Sequence, residues 1–145
     1  MTVSRALKMK GGQDVHTITP DATIADAVAE LGARRIGALV VSSDGSHPDG
    51  ILSERDIVRE LGRQGAEILS RPVSDLMTRE VKTCTPGDAA NDAIRTMSES
   101  RFRHMPVLQD GALVGVISMG DVVKMRLSEL QNERDAMEAM IAGHA

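Results

Sequence analysis

Two short stretches of this 145-residue chain, Ser53-Glu-Arg-Asp56 and Ser118-Met-Gly-Asp121, place a hydroxyl and a carboxylate three positions apart directly after an apolar run. At a helix start this spacing is a capping box. The serine oxygen takes an orphan amide of the first turn, and the acid three positions on suits the positive end of the helix dipole. The same groups also fit a ligand: a carboxylate offers two acceptor oxygens that can bridge the adjacent hydroxyls of a ribose. Exposed amides at a helix N-terminus favour phosphate. Either motif alone is explained by capping, but its occurrence twice at matching points argues for two related sites.

Those points belong to an internal repeat, in which residues 15–62 align with 81–127. A constant offset matches Val15 with Val81, Thr17 with Thr83, Pro20 with Pro86, Asp26 with Asp92 and Asp44-Gly45 with Asp110-Gly111. After a one-residue slip, Gly50-Ile-Leu-Ser53 resumes on Gly115-Val-Ile-Ser118, and Asp56 falls on Asp121.

Each half predicts the same elements. A short β segment (15–19 or 81–85) ends at Thr-Pro, and a helix follows. Thr23 or Asp88 is placed to cap that helix, with apolar stripes at Ile24, Ala27, Val28 and Leu31, or Ala90, Ala93, Ile94 and Met97. Strands at 38–41 and 105–108 lead through Asp-Gly turns into second strands, and helices begin at Ser53 and Ser118. Residues 62–80 read as a partly helical connector whose Val73-Ser74 echoes Val3-Ser4, which suggests that each repeat has its own N-terminal lead-in.

Tandem βαββα units with Thr-Pro after the first strand, a Pro-Val strand and the doubled Gly-h-h-Ser-x-x-Asp pattern (h apolar) resemble the paired CBS domains of the Bateman module, across residues 3–127. The size, with SERD in the first repeat and RHMPV in the second, is similar to the small stand-alone bacterial members. The resemblance implies an α+β fold: two repeats related by a pseudo-twofold axis, packed through their sheets, with a long C-terminal helix added. The expected boundaries are 1–68, 69–128 and 129–145.

It also implies a regulatory module without catalysis, whose two clefts take adenosine ligands such as AMP, ATP, NAD or S-adenosylmethionine. Position by position, Asp56 and Asp121 match the ribose-binding aspartates, with Ser53 and Ser118 three residues before them. Arg103 and His104 stand where family members hold phosphate, and Met105 with Pro106 borders the adenine. Thr17 and Thr83 lie near the base. In the first repeat, Gly37 and Ala38 open room for a base without neutralising phosphate, a task left to Arg55. The second repeat is therefore expected to dominate nucleotide binding.

Composition narrows the alternatives. Phe102 is the only aromatic residue beside nine methionines, so the stacking platforms of single-strand nucleic-acid binders are absent. The net charge of −4 gives no electrostatic footprint for nucleic acid. The lone Cys84 reads as a buried strand residue, and His47 as a solvated turn residue rather than a metal ligand. No apolar run suits a membrane span or a secretory signal, so a cytoplasmic location is expected. No hydrolytic triad, P-loop or metal-spaced cluster points to an enzyme.

From Asp121 to Ile141, Val123, Leu127, Leu130, Met137 and Ile141 form one stripe of a long helix, with Arg134 in the same row. That stripe is expected to pack on a second chain or on the connector. A homodimer and an unidentified regulated protein are the expected partners; the alternative is a scaffold in which both SxxD motifs only cap helices.

Overall fold

The computed structural model describes residues 1–11 and 15–142, so residues 12–14 and 143–145, within the expected first domain and tail, lie outside the described residues. The first repeat opens with β1 (Thr17–Ile18), which runs parallel to β2 (Ala38–Val41); β2 pairs antiparallel with β3 (Gly50–Ser53). Between β1 and β2 lies α2 (Ile24–Arg34), preceded in the chain by α1 (Val3–Met9). The Thr23 hydroxyl accepts the Asp26 amide at 3.1 Å and the Asp26 carboxylate accepts the Thr23 amide at 3.2 Å, a reciprocal cap that fixes the start of α2. After β3 come α3 (Glu54–Gln64), a 3-10 turn (Ala66–Ser70) and the single-turn α4 (Val73–Leu76).

The second repeat contains α5 (Ala90–Ser100), β4 (His104–Gln109), β5 (Ala112–Ser118) and α6 (Met119–Ile141). Asp110 and Gly111 both have positive φ, 52° and 82°, as a two-residue hairpin turn between twisted strands requires. The strand expected at 81–85 contracts to one parallel bridge between Cys84 and Val107. Only Cys84 points into the core there, since Thr83 and Thr85 are exposed. Asp88 does not cap α5: its carboxylate accepts the Thr85 amide at 2.9 Å. The Ala90 amide instead bonds the Met1 carbonyl at 3.2 Å, so the backbone just ahead of α1 takes over the task.

That bond belongs to a larger exchange. Val3 and Ala6 are buried in the core of the second repeat, among Ala90, Met97, Met105, Ile117 and Met125. Val73, Met77 and Ile68 are buried with Ile24, Leu31, Leu39 and Leu52 of the first. Each lead-in thus packs on the repeat that it does not precede, or precedes only at a distance. The expected grouping of Val3 with residues 1–68 follows chain order, whereas its packing joins it to the second core.

The two exchanges are made alike. The Val3 and Ser4 amides bond the Asp88 and Pro86 carbonyls at 2.9 and 2.8 Å, and the Val73 and Ser74 amides bond the Ala22 and Pro20 carbonyls at 2.7 and 3.0 Å. Each lead-in also presses on a strand glycine. A Cβ on Gly115 would stand 2.8 Å from Leu7 Cδ2, and one on Gly50 would stand 2.7 Å from Met77 Sδ and 2.8 Å from the Thr78 carbonyl oxygen.

In α6, Val122 and Met125 are fully buried, while the expected stripe of Val123, Leu127, Leu130, Met137 and Ile141 is exposed. The stripe therefore does not cover the connector. No described helix is long and apolar enough to cross a membrane.

Candidate functional site

Both SxxD motifs act as caps. Ser53 Oγ accepts the Asp56 amide at 3.2 Å and Ser118 Oγ accepts the Asp121 amide at 3.0 Å. In return the Ser53 and Ser118 amides donate to Oδ2 of Asp56 and Asp121, at 3.1 and 2.9 Å. Capping occupies one oxygen of each carboxylate and leaves the other for a further task, so the two uses are compatible. On Asp56, Arg59 donates to the second oxygen, Oδ1, at 3.0 Å. On Asp121, the ammonium of Lys10 joins the capped oxygen, Oδ2, at 3.0 Å, and no bond from the described residues falls on Oδ1.

Each carboxylate stands in its own cleft. The Asp121 cleft holds about 430 Å³ and the Asp56 cleft about 520 Å³, both within the range of small-molecule sites, roughly 300–1,000 Å³. Each cleft takes its SxxD motif from one repeat and its opposing wall from the other. Ser118 and Asp121 face His16, Arg35 and Gly37 of the first repeat, with Lys10 of α1 at the side. Ser53, Arg55 and Asp56 face Lys82, Arg101 and Arg103 of the second. Gly37, Ala38 and His104 line both clefts. A Cβ on Gly37 would stand 3.2 Å from the His104 ring, so the thin partition depends on a residue without a side chain.

This crossing changes the expected sites. Chain order groups Arg103 with Asp121, since both belong to the second repeat, but Arg103 precedes β4 and lines the cleft of Asp56. Arg55 lines that same cleft and not the other. Met105 and Pro106 line neither cleft. His104 faces the clefts, so strand alternation sends Met105 into the core, and Pro106 is buried opposite Val116. Thr17, paired with Val40 on β1, and the exposed Thr83 also lie outside both clefts.

Lys10, His16, Arg35, Lys82 and Arg101 line the clefts without belonging to either SxxD motif or to the Arg103–Pro106 row. Arg35 and Arg101 were visible as a repeat pair; both close a first helix with left-handed backbone, φ 55° and 60°. Lys10 had no such signal, because it lies outside the aligned repeat.

The electrostatics differ across the partition. The Asp56 cleft gathers Arg55, Arg59, Lys82, Arg101 and Arg103 against Glu54, Asp56 and Glu80. The Asp121 cleft sets Lys10 and Arg35 against one carboxylate. Burial lowers the pKa of His104 below the ordinary histidine value, and the attraction of Asp121 does not restore it, so the ring is neutral at pH 7. Burial opposes ionisation of Asp121 as well. Bonds from the Ser118 amide and the Lys10 ammonium outweigh it and hold the carboxyl below its usual range.

Away from the clefts, His47 sits in the exposed hairpin with Nδ1 2.7 Å from Asp44, and Cys84 is buried, its thiol pushed up to about 12. Among the described residues, no group of three or more His, Cys, Asp or Glu can hold a metal ion.

Two αββα repeats with exchanged lead-ins, each opened by a β segment and each with a cleft at its SxxD helix start, define a paired-domain architecture. The CBS domain family model matches residues 11–63 and 73–128, and the chain belongs to that family. It is 36% identical over 149 residues to the CBS domain-containing protein CBSX3, mitochondrial, of Arabidopsis thaliana, covering 98% of this chain and 72% of the relative. Among solved structures, it resembles the CBS-domain containing protein ATU1752 from Agrobacterium tumefaciens with a TM-score of 0.81 and 42% identity, over 87% of this chain and 99% of that one. The CBS domain protein PAE2072 from Pyrobaculum aerophilum, complexed with AMP, matches with a TM-score of 0.73 and 27% identity, over 83% of this chain and 89% of the other.

Proposed function

We propose that the protein is a non-catalytic regulatory module that binds an adenine nucleotide between its repeats and passes the bound state to a separate partner protein. The observation that carries this reading is the Asp56 cleft, where a helix-start carboxylate suited to a ribose diol shares a space of about 520 Å³ with five cationic side chains. Sugar and phosphate recognition are thus side by side. The AMP complex of the Pyrobaculum relative supports the ligand class.

Titration calorimetry against AMP, ATP, NAD and S-adenosylmethionine tests it. Binding of at least one, with Asp56→Ala and Asp121→Ala each removing one site, is the expected result. No binding at millimolar concentration would reject the reading in favour of a scaffold whose SxxD motifs only cap helices.

The exposed apolar residues on α3 and α6, Val58, Leu61, Val123, Leu127 and Leu130, support a homodimer as the assembly that reports ligand state. Sedimentation at micromolar concentration should give twice the mass of one chain. A monomer would remove the dimer from the proposal.

A further inference from the structure

The contact of Leu7 with Gly115 holds α1 close to β5. Lys10, the residue that ends α1, is thereby carried to the mouth of the Asp121 cleft. Its ammonium is fixed twice, at 2.8 Å from the Val116 carbonyl and 3.0 Å from Asp121 Oδ2. Asp121 Oδ2 also accepts the Ser118 amide. A ribose diol approaching Asp121 therefore meets one carboxylate oxygen already taken by a cation. We infer that Lys10 is the specificity-determining residue of this cleft, selecting nucleosides that carry an anionic group over uncharged ones; the inference rests on the nucleotide reading above.

The selection follows from what becomes of the ammonium. One ribose hydroxyl can take the free Oδ1, but a diol that also reaches Oδ2 competes with Lys10 there; an uncharged nucleoside offers the displaced ammonium no charge in return, so the lost ion pair opposes that second bond. A nucleotide gives the same ammonium a phosphate oxygen. Lysine suits the exchange because a flexible stem carries a compact charge with three donors, and Arg35 in the same cleft gives the phosphate a second cation.

The Asp56 cleft has no counterpart. Counted from Val3 and Val73, the place of Lys10 is taken by Glu80, and Asp56 is paired instead by Arg59 from its own helix. Selection by a lead-in cation is thus a property of one cleft.

The test is calorimetry of the full chain carrying Asp56→Asn, which confines binding to the Asp121 cleft, with AMP and adenosine as probes. With Lys10 intact, AMP is expected to bind more tightly than adenosine. Lys10→Met should weaken AMP by about tenfold, the loss of one charge-assisted bond. It should tighten adenosine by about two- to fivefold, the size of a partly exposed ion pair. The preference for AMP then falls by more than tenfold, and Lys10→Arg should retain most of it. A preference that changes less than twofold in Lys10→Met, or equal weakening of both probes, would overturn the role of Lys10 while leaving the nucleotide reading in place. Failure of AMP and adenosine to bind when Lys10 is intact would overturn the inference together with that reading for this cleft.

Discussion

The Asp121 and Asp56 clefts descend from the same repeated motif, yet their carboxylates are neutralised from different directions. Lys10 reaches Asp121 from a helix that precedes the first repeat, across 111 positions of sequence, whereas Arg59 reaches Asp56 from one turn further along the same helix. The repeat preserved the helix start, where spacing alone makes the cap. It did not preserve the lead-ins, where lysine stands in one and glutamate in the other. A duplicated fold can therefore keep the same carboxylate at two sites and give them different charge chemistry through single lead-in positions at which the copies differ.

The largest expected effect tests the crossing itself. Arg103→Glu should lower AMP affinity in the Asp56 cleft by about 10- to 100-fold, since it removes a phosphate-suited cation and adds a repelling charge. The Asp121 cleft should change less than about threefold, a remote-charge effect of a few tenths of a kcal/mol. Titrations in Asp121→Ala and Asp56→Ala backgrounds separate the clefts. A loss confined to the Asp121 cleft would restore the grouping by repeat and refute the crossed one.

The lead-in contacts provide a second comparison, in stability. Gly50→Ala should destabilise by about 2–3 kcal/mol and Gly115→Ala by about 1 kcal/mol, within the usual range for overpacking. The added methyl at Gly50 meets the Thr78 backbone carbonyl, which cannot turn away, while at Gly115 it meets the end of a leucine that can. Denaturant midpoints of the two variants would decide it, and equal or reversed losses would contradict the packing described.

The smallest effect concerns His104, the titratable residue among those shared by both clefts. Because the folded pKa of His104 is lowered by burial, the unfolded chain binds the proton more readily. The resulting stability is complete above the unfolded histidine pKa of about 6.5 and is lost as pH falls from there toward the folded value. Between pH 8 and 5, His104→Gln should flatten that part of the stability profile. An unchanged slope would show that the ring is not held neutral.

The two capped helix starts and the Asp110-Gly111 turn are legible because each is written in residues a few positions apart, and the repeat because the same pattern recurs at a nearly constant offset. The failures have equally physical causes. Asp88 has the right residue type for a cap but bonds its own turn, and the Met1 carbonyl takes the Ala90 amide at the start of α5. Met105 and Pro106 fall in the expected ligand row, but strand alternation turns Met105 into the core, and Pro106, on the same side of β4 as His104, is buried against Val116 and lines neither cleft. The stripe on α6 was correctly grouped, while the residues that anchor the helix, Val122 and Met125, lie on its other face.

By itself, then, the sequence determined that there would be two helix-start carboxylates in two equivalent units, because a cap depends only on residues three apart. Which cations stand before each carboxylate was decided by tertiary structure alone. Both repeats offer a strand glycine and carbonyls to a lead-in, and only the packing shows that each lead-in docks on the other repeat. That docking, made between residues far apart in the chain, put Lys10 beside Asp121, while the way the two repeats pack put Arg103 in the cleft of Asp56.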